Sequence, residues 1–195
     1  MRYWDRSKIV VGVDEAGRGP LAGPVVVAAV ILNPDIKIEG LNDSKKLSEK
    51  KREELFEIIR KTAIDWNVQI ISSKVIDEIN ILQATFLGME KAVKNLEVKP
   101  EVCLIDGNQL SEKLKHFAKA IIKGDSQFAS IAAASILAKV YRDRIMRKLH
   151  EKFPMYNFKK NKGYPTREHL AAISKYGIIS AHRKSYRPVR EVIDR

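Results

Sequence analysis

The sequence predicts an α/β domain, because strand-like and helix-like apolar patterns alternate along its 195 residues. It opens with two β-branched runs, 9–13 and 24–32, on either side of a turn rich in glycine and proline. Two later apolar runs each lead to an aspartate beside a glycine, and a long helical pattern follows the second of them. A chain of this length fits one domain with a substantial core, so residues 1–195 are expected to form a single unit.

The first half of the chain supplies a strand pair, a helix, a third strand and a helical stretch. These elements are, in order, strands over 9–13 and 24–32, a polar loop over 41–47, a helix from Ser48 to about Lys61, a half-buried strand over 65–72, and a short and a longer helix within 73–95. Ser48 suits the N-cap position, because its hydroxyl can accept a hydrogen bond from an otherwise unpaired amide of the first turn.

The second half begins with two short strands and ends in helices. Its elements are strands over 101–106 and 120–122, a helix from about Ser126 to Lys152, a basic loop over 157–166, and a helix from Glu168 to Tyr176. Gly177 is placed to stop that last helix. Residues from about 153 to 195 are therefore expected to form a C-terminal helical appendage.

The composition indicates which kind of partner the protein binds and which kinds of site it lacks. The formal net charge is +12 and the pI is about 9.7, so nucleic acid is the first partner to consider. The single cysteine, Cys103, excludes an internal disulfide and a cysteine-based zinc site, and its apolar neighbours predict a core position. With no apolar stretch long enough for a bilayer and no signal peptide, the prediction is a cytoplasmic protein without membrane contact.

Four carboxylates stand at predicted strand ends. Asp14 and Glu15 end the first strand, Asp106 ends a later one, and Asp125 follows a third just before a helix. Ligands of α/β sheets gather beyond such ends, so these side chains are expected to meet in one pocket. Gathered carboxylates repel one another unless cations bridge them, and oxygen ligands suit Mg²⁺ or Mn²⁺. The sequence therefore predicts a two-metal phosphodiester site.

Each aspartate also has a purely structural interpretation. Asp106 with Gly107 fits a plain turn, and Asp125 with Ser126 fits a plain helix cap. Asp43 and Asp143 are further acidic positions, and Asp143, between two arginines in a helix, is expected to form an ion pair. The four histidines show no paired metal spacing, and two of them, His150 and His169, are expected on helix surfaces.

Three segments around the predicted pocket suit contacts with a polyanion. Glycines flanking Arg18 allow the backbone to approach a ligand closely, although the segment matches neither a dinucleotide fingerprint nor a P-loop. A polar and cationic loop, and a tyrosine beside lysines, offer phosphate contacts and a stacking surface, with an ordinary surface loop and a packed tyrosine as the alternatives. The candidate substrate-binding residues are Gly17, Arg18, Gly19, Asn42, Ser44, Lys45, Lys46 and Tyr164.

The sequence resembles the ribonuclease HII family, the bacterial type 2 ribonucleases H. Its opening motif, Asp14-Glu15-Ala16-Gly17-Arg18-Gly19-Pro20-Leu21-Ala22-Gly23-Pro24, is similar to that of the family. Later motifs follow in order: Asp43-Ser44-Lys45-Lys46-Leu47, Leu104-Ile105-Asp106-Gly107, Lys123-Gly124-Asp125, residues 133–143, Gly163-Tyr164-Pro165-Thr166 and His182-Arg183-Lys184-Ser185-Tyr186. The resemblance covers nearly the whole chain.

The resemblance implies a ribonuclease H-like fold with a five-stranded mixed sheet, flanking helices and a C-terminal helical segment that contributes to substrate binding. It implies cleavage of RNA in RNA–DNA hybrids and at ribonucleotides embedded in duplex DNA. It also implies a metal site made of Asp14, Glu15, Asp106 and Asp125. By the same resemblance, residues 17–19 read the ribose 2′-OH, which is the group that distinguishes RNA from DNA, and Tyr164 stacks at the RNA–DNA junction.

The expected reaction is divalent-metal-dependent hydrolysis on the 5′ side of a ribonucleotide, leaving a 5′-phosphate and a 3′-OH. Two alternatives remain open: a metal-dependent nuclease that also cuts all-DNA duplex, and a nucleic-acid binder without catalysis. The protein is expected to be a monomer. The tetrapeptide 192–195 shows no aromatic clamp-binding motif, so docking to a replication clamp is not expected.

Overall fold

The computed structural model describes residues 1–194, so Arg195, the end of the tetrapeptide just discussed, lies outside the described residues. The strands are β1 (Val10–Ala16), β2 (Val25–Leu32), β3 (Ala63–Ile71), β4 (Val102–Asp106) and β5 (Ala118–Ile121). The helices are α1 (Glu49–Thr62), α2 (Ser73–Lys94), α3 (Ala129–Lys152), α4 (Phe158–Asn161), α5 (Arg167–Tyr176) and α6 (Arg187–Ile193). Short 3₁₀ turns lie at Ser44–Lys46, Gly124–Ser126 and Pro154–Tyr156.

The five strands form one mixed sheet in the order β3-β2-β1-β4-β5. β1 is antiparallel to β2 and parallel to β4, so the opening hairpin lies beside strands reached by a helical crossover. This confirms the predicted fold class. The register of β1 and β4, with Val13 opposite Ile105, brings the residues that follow them to the same edge of the sheet.

Local signals placed most helix ends correctly. The Ser48 hydroxyl accepts from the Lys51 amide and caps α1, as predicted. α2 is interrupted at Asn80, which has a positive φ of 65° and whose side-chain oxygen accepts from two amides of the next turn. This break accounts for the predicted short and longer helix. The predicted loop over 157–166 is wrong in one respect, because it contains the short helix α4.

The sheet lies between α1 and α3 on one face and α2 on the other. α3 comes closest to the sheet at Gly12, where an added Cβ would lie 2.1 Å from the carbonyl carbon of Ser130. Only glycine fits there, so this residue brings the helix against the centre of the sheet. Cys103 is fully buried, as predicted.

The C-terminal segment has its own apolar cluster, which also includes residues from outside it. Tyr156, Phe158 and Val189 pack there against Leu21, from the glycine-rich turn, and Met146 of α3. The appendage is therefore attached directly to the turn that follows β1. Among residues 1–194, no helix combines the length and apolarity needed to span a bilayer.

Candidate active site

Three predicted carboxylates meet at the edge of the sheet where β1 and β4 end. Asp14 and Asp106 lie near the ends of the adjacent parallel strands β1 and β4, and Asp125 lies in the 3₁₀ turn just after β5. One oxygen from each of the three lies within 4.8 Å of the others. We call this group the acidic cluster; its all-oxygen donor set suits a hard divalent cation.

Glu15 lies beside the acidic cluster rather than within it. Successive side chains of a strand point to opposite faces of the sheet, so Asp14 and Glu15 diverge. The Glu15 carboxylate lies 3.5 Å from the Arg18 guanidinium and close enough to Asp106 to be repelled by it. Burial and that repulsion raise the pKa of Glu15 against the opposing effect of Arg18.

Burial and mutual repulsion both raise pKa values within the acidic cluster. Burial is the largest cause that raises the pKa of Asp14 well above its usual range, and the charges of Glu15 and Asp106 add to it. Burial and Asp106 likewise raise the pKa of Asp125. An opposing cation at the cluster is Lys45, whose ammonium lies 3.7 Å from Asp125 and whose side chain is 79% exposed. A bound cation would relieve this repulsion.

Backbone and hydroxyl groups orient these carboxylates. One oxygen of Asp106 accepts from the Gly124 amide at 2.7 Å, which ties the end of β4 to the turn that carries Asp125. One oxygen of Asp14 accepts from the Glu15 amide at 2.7 Å. The Ser135 hydroxyl of α3 partly offsets the raised pKa of Asp14. These contacts fix the orientation of the Asp14 and Asp106 carboxylates.

The predicted glycine-rich segment lines the same pocket as Asp14 and Glu15. This pocket has a volume of about 310 Å³ and is also lined by residues 17–19 and Tyr164. Gly17 has a φ of 100°, and a Cβ there would lie 2.0 Å from the Arg142 side chain, so glycine is required. The Tyr164 side chain is 46% exposed, which favours the stacking interpretation over a tyrosine packed under its own loop.

The polar loop over 42–46 contributes only in part. Ser44 and Lys45 line the pocket, and the buried Ser44 hydroxyl lies 2.9 Å from the Ser135 hydroxyl. Asn42 and Lys46 are exposed, and neither lines the pocket. Asn42 instead accepts a hydrogen bond from the next amide of its own loop.

Two buried arginines in the site were missed by sequence reasoning. Arg142 and Arg183 are 1% and 0% exposed, and both donate to backbone carbonyls around the glycine-rich turn. Arginine usually signals surface charge, so composition alone could not find them. The only sequence signal was their position inside the family-like motifs 133–143 and 182–186. Asp143 forms the expected ion pair, but with Lys139 at 2.8 Å.

The histidine prediction was wrong at one position. His169 is fully buried rather than on a helix surface, and its Nε2 lies 3.1 Å from Nε2 of His182. The Nδ1 of His169 lies 2.9 Å from the Tyr164 carbonyl, which makes it the donor there. The Nδ1 of His182 accepts from the Ile179 amide, so His182 donates through Nε2 to His169. We call these two residues the histidine pair; it holds the backbone that carries Tyr164.

Comparison with known proteins gives a consistent result. The profile of the family described as Ribonuclease HII matches residues 11–189. The chain is 53% identical over 186 residues to ribonuclease HII of Acinetobacter baylyi, covering 95% of this chain and 98% of that one. It is also 53% identical over 191 residues to ribonuclease HII of Vibrio campbellii, covering 98% and 90% of the two chains.

Solved structures agree with the sequence relatives. The ribonuclease H2 of Pyrococcus horikoshii superimposes with a TM-score of 0.80 at 29% identity, covering 95% of this chain and 97% of that one. The ribonuclease HII of Archaeoglobus fulgidus, solved in complex with PCNA, gives a TM-score of 0.79 at 32% identity and covers 92% and 95% of the two chains.

Proposed function

Because the chain belongs to the ribonuclease HII family and is therefore a ribonuclease H endonuclease, we propose that it also cuts duplex DNA 5′ to embedded ribonucleotides. In this proposal it hydrolyses the RNA strand of RNA–DNA hybrids and leaves a 5′-phosphate and a 3′-OH. One observation carries the proposal. Asp14 of the acidic cluster, together with Glu15, lines a pocket that also contains residues 17–19 and Tyr164, so the proposed cutting site lies next to a surface able to recognise a ribose.

The family depends on a divalent metal, and the acidic cluster fits one. Its three carboxylates offer only oxygen ligands, and burial, with repulsion between the carboxylates added to it, raises the pKa of Asp14 and Asp125; a cation would relieve that repulsion. Asp14, Asp106 and Asp125 would hold the ion or ions, with Glu15 completing the set. Bound Mg²⁺ or Mn²⁺ supplies positive charge at the scissile phosphate and activates water for an in-line displacement.

The side chains of this protein orient the substrate. Lys45 and Arg18 both line the pocket, where they can neutralise phosphates of the substrate. The Asp106–Gly124 hydrogen bond keeps two of the carboxylate-bearing segments in fixed relation. The site is thus preorganised before substrate arrives.

Recognition of the ribonucleotide falls to residues 17–19 and Tyr164. Backbone amides without a side chain in the way can approach the 2′-OH, which DNA lacks. The Tyr164 ring is exposed beside Gly19, at 3.5 Å from the position of an added Cβ, and can stack on the adjoining sugar or base. Since Tyr164 belongs to the segment 153–195, this segment of the single domain contributes to substrate binding.

We also propose that the protein acts as a monomer. Its measured mass in solution, with and without a duplex bearing one ribonucleotide, tests this. A dimer in both states would contradict it.

The function is tested by mapping cleavage of three duplexes of one sequence in Mg²⁺ and in Mn²⁺. They are an RNA–DNA hybrid, a DNA duplex with one ribonucleotide, and an all-DNA duplex. We expect the first two to be cut, the second at a single site 5′ to the ribonucleotide. Equal cleavage of all-DNA duplex would favour the general nuclease, and binding without cleavage, unaffected by chelator, would favour the non-catalytic binder.

A further inference from the structure

Arg183 has an unusual environment for a charged side chain. It is completely buried, and among residues 1–194 no carboxylate lies within ion-pair distance of it. All five of its N–H donors are used by neutral oxygens. Nη2 donates to Gly17 O at 2.5 Å and to Gly23 O at 2.9 Å, Nε donates to Gly23 O at 3.0 Å, and Nη1 donates to Arg18 O at 2.8 Å and to the Tyr186 hydroxyl at 2.9 Å.

Tyr186 completes the arrangement. Its hydroxyl accepts from Arg183 and donates to Arg18 O at 2.6 Å, so this carbonyl receives two hydrogen bonds. Neutral carbonyl and hydroxyl dipoles solvate the guanidinium, and desolvation lowers the pKa of Arg183. A buried charge of this kind is tolerated only if every donor has a partner, and here each one does.

The direction of these carbonyls determines the direction of the neighbouring amides. The Gly17 carbonyl shares a peptide plane with the Arg18 amide, and the Arg18 carbonyl shares one with the Gly19 amide. No peptide bond described is cis, so each N–H points opposite to its carbonyl. Because both carbonyls turn inward to Arg183, both amides turn outward, toward the pocket that these residues line. Within residues 1–194 neither amide donates a hydrogen bond.

Backbone contacts fix Arg183 in register with the turn. The Arg183 amide donates to Leu21 O and the Gly23 amide donates to Ala181 O, both at 2.8 Å. An antiparallel bridge joins Ala22 to His182 between these two bonds. The segment around Arg183 therefore runs as a short strand beside residues 21–23, which places the guanidinium under residues 17 and 18.

We propose that Arg183, assisted by the Tyr186 hydroxyl, is a positioning residue for ribonucleotide recognition. It acts through the backbone of residues 17–19: by gathering their carbonyls it aims the Arg18 and Gly19 amides at the ribose. The inference rests on the proposed function, since it assumes that these amides read the 2′-OH. It assigns the choice between RNA and DNA to a side chain that lies beneath the turn and outside the pocket.

The test compares Tyr186→Phe and Arg183→Lys, both made in an Asp106→Asn background that blocks turnover. Dissociation constants are measured in Mg²⁺ for a duplex with one ribonucleotide and for the matching all-DNA duplex. Tyr186→Phe keeps the ring and removes one hydrogen bond to Arg18 O, while Arg183→Lys keeps the charge and loses the planar set of five donors. Tyr176→Phe, an exposed tyrosine of the same segment, is the matched control.

We expect the preference for the ribonucleotide duplex to fall about three- to tenfold in both variants, with unchanged affinity for all-DNA duplex and an unchanged control. An unchanged preference, or an equal loss of affinity for both duplexes, would overturn the inference. If Arg183→Lys fails to fold, Tyr186→Phe decides alone. Failure of the proposed function is distinguishable, because the protein with native Arg183 and Tyr186 would then show no preference to lose.

Discussion

The acidic cluster and the glycine-rich turn lie side by side, but they differ in their electrostatics. The cluster brings like charges together, whereas hydrogen bonds from buried guanidiniums hold the turn. In the acidic cluster, the ends of parallel strands bring like charges together, and burial, with their repulsion added to it, raises the pKa of Asp14 and Asp125. In the turn over 17–23, two buried guanidiniums, Arg142 and Arg183, gather backbone carbonyls. The acidic cluster carries a repulsion that a bound cation would relieve, whereas the carbonyls of the turn are hydrogen-bonded without a ligand.

This difference separates stability from activity. Removing a charge from the acidic cluster relieves repulsion, so the fold tolerates the change while the proposed chemistry is lost. Removing a charge from beneath the turn leaves buried carbonyls without donors, so stability and recognition both suffer. Strain at a site that binds a ligand, balanced by rigid support around it, is a recurring feature of enzymes.

The largest expected effect is that of Asp106→Asn. The amide oxygen of asparagine can still accept from Gly124, so the local fold is kept while one charge of the acidic cluster is lost. We expect cleavage to fall on the order of 10²-fold or more and the melting temperature to stay equal or rise. Both are measured on one preparation, and the rise in melting temperature that Mg²⁺ or Mn²⁺ produces should shrink in the variant.

Asp143→Asn is the matched control for Asp106→Asn, since this buried aspartate pairs with Lys139 outside the acidic cluster. It should lower the melting temperature and leave the metal-induced rise in place. Near-normal cleavage by Asp106→Asn, or a metal response as large as that of the unmodified protein, would contradict the assignment of the acidic cluster.

A second expected effect concerns pH. A fall in pH changes the contributions of the histidine pair and of the acidic cluster to stability in opposite directions. Burial lowers the pKa of His182 to about 4, below its ordinary 6.5, so only the unfolded chain binds this proton between those values. The contribution of the histidine pair to stability is therefore complete above pH 6.5 and is lost as the pH falls toward 4. Asp14, whose pKa is raised, becomes less destabilising as the pH falls.

Denaturant unfolding at pH 7 and pH 4.5 tests this for the unmodified protein and for His182→Gln. The unmodified protein should lose about 2 kcal/mol more than the variant over this interval. The variant has no imidazole at that position to protonate, and the acidic cluster is the same in both proteins. Identical losses would show that the histidine pair does not govern acid stability.

The smallest expected effect on stability is that of Tyr164→Ala. Its ring is 46% exposed, so the free energy of unfolding should change by less than about 0.5 kcal/mol. Loss of a stacking surface should weaken binding of the ribonucleotide duplex by about 1 to 3 kcal/mol. Tyr164→Phe keeps the ring and should bind normally. Equal binding by all three proteins would remove Tyr164 from the proposed site.

The sequence alone determined the elements that depend on local patterns. Apolar alternation and caps such as Ser48 located the strands and helices, because these signals act within a few residues. The sequence also identified the carboxylates at strand ends. The structure brings Asp14, Asp106 and Asp125 together because parallel strands end at one edge of the sheet. The roles of the candidate residues themselves remain predictions.

Only the tertiary structure decided what supports the site. Glu15 lies apart from the acidic cluster because neighbouring strand residues face opposite ways, and Asn42 and Lys46 lie outside the pocket. Arg183 meets residues 17 and 18 across more than 160 positions of chain, and His169 meets His182 inside a core that no local pattern marks. From sequence alone, a charged or titratable side chain is predicted to lie on the surface, because its burial depends on partners that only folding brings to it.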